Sequence, residues 1–329
     1  MFIKQTHTMK NIPQFLSAVL GIICLTSCTN QVKDVEIGPY TVSVIEKNVY
    51  HIQDYNSSNP AGETFDAEGN KTHFNNCSDM YLIVGKENAL LIDLSNNIRW
   101  AANAAESLRQ LVSERIEDKP LTITFTHNHG DHIGMLHAYA DDPEVRFALP
   151  ERDFTRLAGR LPQEQSHFIN EGYVFDLGGS EIETIEVPGH TDGSMVFYMP
   201  KHNLLFTGDA IGSGHGVWIF NTAAYQKYDA AVPHLISWLE NPDNKVNTET
   251  LRIYGGHYWQ RDWLPELGEN EMGMQYIMDM QTLLDEIRKG TAKAEPSNLG
   301  RPDLDTYFRH GSAIVVWNAA QAKEYAENN

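Results

Sequence analysis

Cysteine is scarce in this chain: three residues, Cys24, Cys28 and Cys77, in 329. A disulfide framework is therefore excluded, and stability must come from a buried core or from bound metal. Basic charge is short as well, with 25 Lys and Arg against 44 Asp and Glu, a net charge of −19. Nucleic-acid binding rests largely on neutralising phosphates with Lys and Arg, so this balance excludes a nucleic-acid partner. The apolar run from Phe15 to Leu25 is too short for a permanent membrane-spanning helix. There is no internal repeat and no low-complexity tract, which argues against solenoids and disordered tails. What remains is an ordinary globular composition, 41% apolar, with enough material for a sizeable core.

The first residues read as a targeting segment. Lys4 and Lys10 precede the apolar run, and Leu25-Thr26-Ser27-Cys28 resembles the lipobox at which a bacterial signal peptidase cuts before a cysteine that becomes lipidated. The expectation is a signal peptide over 1–27, a tether over 28–36 and one domain over 37–329, with the mature chain held to a membrane through lipidated Cys28. Loss of the signal takes away Lys4 and Lys10 and no acid, leaving a net charge of about −21. Thr29 and Asn30 follow the cysteine without an aspartate that would suggest inner-membrane retention, so the outer membrane or cell surface is favoured. Cys77 is then the last cysteine, read as a buried small hydrophobe and not a nucleophile.

Along the rest of the chain, short strands are expected at Thr41 to Ile45, Val49 to Ile52, Met80 to Val84 and Ala89 to Ile92, the last two forming a hairpin. Apolar spacing predicts a helix from Trp100 to Glu114 and a buried strand from Leu121 to Phe125. A second group of strands follows at 145–148, 182–187, 195–199 and 204–207, with a helix over 151–159. Helices return at 225–240, interrupted or bent near Pro233, and at 271–289, ending at Gly290. Strands at 251–254 and 313–317 close the pattern, and the Gly-, Pro- and Ala-rich stretch 290–303 reads as a mobile loop. The class is α/β.

Directly after the strand at 121–125 stands Thr126-His127-Asn128-His129-Gly130-Asp131-His132. A straight strand sends alternate side chains to opposite faces and cannot aim four ligands at one point. A strand end turning into a helix can, with His127 and His129 on one side and Asp131 and His132 on the other, which suits two neighbouring metals. Imidazole with carboxylate favours zinc, and manganese or iron remain acceptable. Three later strand ends repeat the theme beside glycine: Gly189-His190, Gly208-Asp209 and Gly256-His257. Glycine permits the sharp turn and close approach that a crowded centre needs.

This series resembles the H-x-H-x-D-H signature and the later Gly-His, Gly-Asp and Gly-His elements of the metallo-β-lactamase superfamily, over residues 90 to 260. Asp93 resembles that family's first motif, a structural aspartate. The resemblance implies a four-layer αβ/βα sandwich in which His127, His129 and His190 hold one zinc, Asp131, His132 and His257 a second, and Asp209 bridges them. It further implies a hydrolase whose hydroxide, shared by the two metals and oriented by Asp131, attacks a small-molecule ester, thioester, lactone or amide. Histidine at 129, where redox di-iron relatives carry glutamate, argues against electron transfer. Aspartate at 209, where true β-lactamases typically differ, leans towards thioesterase, lactonase or other ester-hydrolase chemistry. A mononuclear iron persulfide dioxygenase, a true β-lactamase and a non-catalytic binding lipoprotein are the competing readings. Trp218 reads either as a pocket wall or as a packing residue; Tyr258 and His215 are weaker site candidates.

Overall fold

The computed structural model describes residues 35–54, 64–65, 71–73, 77–157, 159, 161–213, 216–257, 272–297 and 299–328. The signal segment, the lipobox with Cys28, His215 and Tyr258 lie outside the described residues. Strict two-residue alternation on the central strands divides the core. On β6 (Asp79–Val84), Met80, Leu82 and Val84 face one way, towards α1 (Ala104–Ile116), while Tyr81 and Ile83 face the other. On β13 (Met195–Met199), Met195, Phe197 and Met199 meet Tyr81 and Ile83 in an inner layer, and Val196 and Tyr198 face α4 (Thr222–Glu240). Both sheets are thus covered on both faces, which explains strands that are apolar without interruption.

The larger sheet has eight strands in the order β1 (Val35–Ile37), β2 (Tyr40–Glu46), β3 (Val49–Asp54), β6, β7 (Ala89–Ile92), β8 (Leu121–Thr124), β9 (Arg146–Pro150) and β10 (Ser166–Ile169). The second runs β11 (Val174–Asp176), β12 (Glu181–Glu186), β13, β14 (Leu204–Gly208), β16 (Arg252–Gly255). With α1 outside the first sheet and α4 and α5 (Met274–Arg288) outside the second, the layers read helix, sheet, sheet, helix, the expected αβ/βα sandwich. β4 (Thr64–Phe65) and β5 (Lys71–His73) form a separate ribbon. A further four-stranded sheet orders β15 (Val217–Trp218), β19 (Ala313–Trp317), β18 (Thr306–His310) and β17 (Lys293–Pro296), with α6 (Ala319–Asn328) after it; Val315 and Trp317 pack into the same cluster as α4 and α5.

Several expectations shift. The stretch 290–303, read as a mobile loop, contains β17, paired antiparallel with β18 over Lys293–Arg309 to Pro296–Thr306. Its Pro296 is tolerated because β17 is a sheet edge. Among the described residues the first ladder pairs Val35 with Val42. The helix expected at 151–159 is a single turn, α3 (Glu151–Phe154), and Trp100 to Asn103 precede α1 instead of opening it. α4 runs through Pro233 as one helix. No described helix is long and apolar enough to cross a membrane.

Candidate metal centre

Every motif residue sits just past the end of a strand. β7 delivers Asp93, β8 leads into the loop 126–132, β12 into His190, β14 into Asp209 and β16 into His257. Backbone bonds between these loops hold the ends together: Asp79 N–H donates to Gly256 O at 2.8 Å, Gly256 N–H to Gly208 O at 2.8 Å, and Met195 N–H to Thr126 O at 2.8 Å. Gly208 has φ +49°, and a Cβ there would lie 2.3 Å from Thr126 Oγ1, so only glycine fits where β14 turns towards the cluster. As expected for a strand end turning into a helix, His127 and His129 precede the short α2 (Gly130–Ile133), which carries Asp131 and His132.

The side chains converge. Three groups have ligand atoms lying within 4.8 Å of one another: His127, His129 and His190; His127, His132 and Asp209; and Asp131, His132 and His257. The first and third are the two trios the resemblance implies, and Asp209 shares a group with one histidine of each. Its carboxylate lies 3.4 Å from His132 Nε2, 3.5 Å from His190 Nε2, 3.3 Å from His257 Nε2 and 4.0 Å from His127 Nε2. Asp131 Oδ2 lies 3.5 Å from His257 Nε2, on the more open side. All seven residues of the motif series are therefore brought together at one point.

The opposite ring nitrogens are tied to the protein. His132 Nδ1–H donates to Asp93 Oδ2 at 2.9 Å, His190 Nδ1–H to Trp218 O at 3.0 Å, and His257 Nδ1–H to Cys77 O at 2.5 Å. Thr126 Oγ1 donates to Asp93 and so accepts from His127 Nδ1–H at 3.0 Å. Each bond keeps a proton on Nδ1 and turns Nε2 towards the cluster, so that the neutral ring offers its lone pair there, the arrangement that orients metal-binding imidazoles. His129 is turned the other way, its Nδ1 2.9 Å from His190 Nε2. Among the described residues, His127 Nε2, on a ring held neutral, is buried with no hydrogen-bond partner. A buried lone pair without a donor is costly, and a cation beside it would remove the penalty, so the donor set fits a metal.

Electrostatics divide the trios. Burial, reinforced by the neighbouring imidazoles, holds His127 well below its ordinary value and His129 down at about 4; His190 is lowered too. Burial alone would also lower His132 and His257, but the Asp209 carboxylate, aided by Asp131, holds both well above the ordinary value. Burial works to raise Asp131 and Asp209, yet these histidines outweigh it and keep both carboxyls low and ionised.

Two residues that motif reading passes over complete the frame. Asp153, in α3, accepts from Asn128 N at 3.1 Å, Gly193 N at 2.7 Å and Thr191 Oγ1 at 2.7 Å, clamping the His127–His132 loop to the His190 loop. Ser213 Oγ donates to Asp209 Oδ1 at 2.9 Å. The residues lining the cavity over the centre, about 410 Å³, include His129, Asp131, His190, Asp209, Trp218 and Phe220. Trp218 fills both roles open to it: it walls the cavity and packs against the cluster of Leu304, Tyr307, Ile314 and Val316.

The model of the metallo-beta-lactamase superfamily matches residues 78–252, more than half of the chain, and the chain belongs to that superfamily. A metallo-beta-lactamase from Pontibacter korlensis has the same fold, with a TM-score of 0.53 and 19% identity over 75% of this chain and 99% of its own. The chain is 29% identical over 199 residues to a hydroxyacylglutathione hydrolase of Aeromonas salmonicida, covering 60% of this chain and 71% of that protein. It is 27% identical over 147 residues to the atrochrysone carboxyl ACP thioesterase AacuM of Aspergillus aculeatus, covering 42% of this chain. This second match spans only 41% of the thioesterase.

Proposed function

We propose that the protein is a metal-dependent hydrolase of a small ester, thioester, lactone or amide, with thioesters favoured. The observation that carries this reading is the convergence of five imidazoles and the carboxylates of Asp131 and Asp209 at the base of an open cavity. The names of the two relatives, a hydroxyacylglutathione hydrolase and an atrochrysone carboxyl ACP thioesterase, lend the thioester its weight. His127, His129 and His190 would hold one zinc, Asp131, His132 and His257 another, with Asp209 between them. Two bound dications would supply Lewis acidity, activating water near neutral pH and polarising the scissile carbonyl. Asp131, ionised and partly exposed to the cavity, accepts a hydrogen bond from the attacking water and orients it. Ser213 and Asp93 keep Asp209 and His132 in register. Trp218 and Phe220 provide an apolar wall for the acyl group.

The test is a hydrolysis screen of the metal-loaded protein against thioesters, lactones, β-lactams and phosphodiesters, with metal analysis alongside. About two zinc per chain and thioester turnover that falls at least 100-fold in Asp131→Ala are expected. One iron per chain with oxygen consumption on a persulfide would sink the reading in favour of a dioxygenase. The proposal includes export and lipid anchoring at Cys28. Fatty-acid labelling that persists in a Cys28→Ala protein would refute that part.

A further inference from the structure

The cavity over the centre has one cation in its described lining besides the histidines. It is Arg301, in the segment between β17 and β18, outside the residues matched by the family model. Its guanidinium carbon lies 5.5 Å from the Phe220 ring and 5.8 Å from the Trp218 ring. The same Phe220 ring lies 5.6 Å from the His190 ring and 5.8 Å from that of His129. One aromatic ring therefore separates the guanidinium from two of the candidate metal ligands.

The segment that carries the arginine is held in place, and the Asp303 pair orients its side chain. Leu304 N–H donates to Arg301 O at 3.1 Å, Asn318 Nδ2 donates to Pro302 O at 2.8 Å, and Leu304 is fully buried beside Tyr307, Ile314 and Val316 with Trp218 and Phe220 packed against them. Asp303 accepts from Nε at 3.2 Å and from Nη2 at 2.7 Å. That pair uses two of the five guanidinium donors, and among the described residues Nη1 donates to none. Nη1 and the second Nη2 proton are left together on one edge, a spacing that matches the two oxygens of a carboxylate. In a chain of net charge −19, a fixed guanidinium at the mouth of the metal pocket is a local exception that asks for an acidic ligand.

We infer that Arg301 is a specificity-determining residue that binds a second, carboxylate group on the substrate, so that the preferred substrates are acyl compounds with a free carboxylate a few methylenes from the scissile carbonyl. This rests on the hydrolase reading for the scissile bond, while the anion site itself does not. Succinyl, glutaryl and adipyl thioesters of N-acetylcysteamine, each paired with its methyl-ended counterpart, would be compared by kcat/KM. The wild-type protein is expected to prefer the carboxylate of at least one pair by about tenfold or more. Arg301→Met abolishes that preference, and Arg301→Lys, which keeps the charge without the planar fork, recovers part of it. Calorimetric titration with glutarate supplies a readout without turnover: binding to the wild type should be lost in Arg301→Met at unchanged metal content. A preference or glutarate affinity that is the same in Arg301→Met as in the wild type overturns the assignment. If no thioester is turned over, the hydrolase reading fails, and the glutarate titration still decides the role of Arg301.

Discussion

At the scale of single residues, the five histidines divide by charge, with a measurable consequence. His127, His129 and His190 have lowered values and are neutral at pH 7, ready to bind metal without losing a proton. His132 and His257, raised well above the ordinary value by Asp209 and its neighbours against the effect of burial, are charged there and must each lose a proton. Zinc binding at pH 7 should therefore release roughly two protons per chain, and the apparent affinity should climb by about 100-fold per pH unit. Calorimetry in buffers of different ionisation enthalpy measures the number; release near zero would contradict these charge states. Asp153 lends itself to a second prediction. It touches no member of the cluster in the bonds described but holds both ligand loops, so Asp153→Ala should weaken zinc binding by about 10- to 100-fold while leaving the fold intact. Competition with a chelator, with circular dichroism as the control, reads both. The motif histidines were legible because their spacing is dense and unusual. Asp153 was not, since its partners Asn128, Thr191 and Gly193 become neighbours only after the sheets pack.

At the scale of elements, the wholly buried strands were the most legible part. Residues 89–92, 195–199 and 313–317 were placed with the bounds the structure gives, because unbroken apolar runs of this length suit strands buried on both faces. Strands such as β10 and β17 were missed. β10 exposes His167 and Phe168, and β17 carries Lys293, Ala294 and a proline, so neither shows the burial pattern of a central strand. Their pairing comes from neighbours distant in sequence, β9 and β18. The elements also set how closely the strand ends approach. A Cβ on Gly256 would lie 2.4 Å from Asp209 Oδ1 and 2.8 Å from His132 Cε1. Gly256→Ala should thus push apart the Asp209 and His132 side chains, cutting bound zinc to well under half of the wild-type content by elemental analysis, with a loss of about 1–3 kcal/mol in stability. Full metal occupancy in that variant would show that the loops yield more than their backbone bonds suggest.

At the scale of the whole molecule, a buried carboxylate ties the outer strands to the layer that bears the site. Asp54, at the end of β3, accepts from Ser78 N at 3.0 Å, Ser95 Oγ at 2.5 Å and Asn96 N at 2.8 Å, and burial raises it from 3.8 to about 6 despite these bonds. A raised carboxyl means that the folded state binds more protons than the unfolded state between those values. Its ionisation therefore costs stability as pH rises from about 4 to 6, by about 3 kcal/mol in full. In Asp54→Asn this component of the pH dependence should vanish, whatever the variant's absolute stability. Urea melts of both proteins at pH 4.5 and 7.5 test it, and parallel pH profiles would refute it. Composition, alternation and the ligand series by themselves determined the α/β class, the family and the residues of the candidate centre, because those properties are local: a strand's period and a motif's spacing are written in consecutive residues. Only the tertiary structure decided that Asp209 stands within reach of both histidine trios, that Trp218 and Phe220 wall the cavity and that Arg301 sits at its mouth. Those relations depend on how two sheets and a C-terminal β-sheet pack, and that packing joins residues far apart in the chain through a shared core.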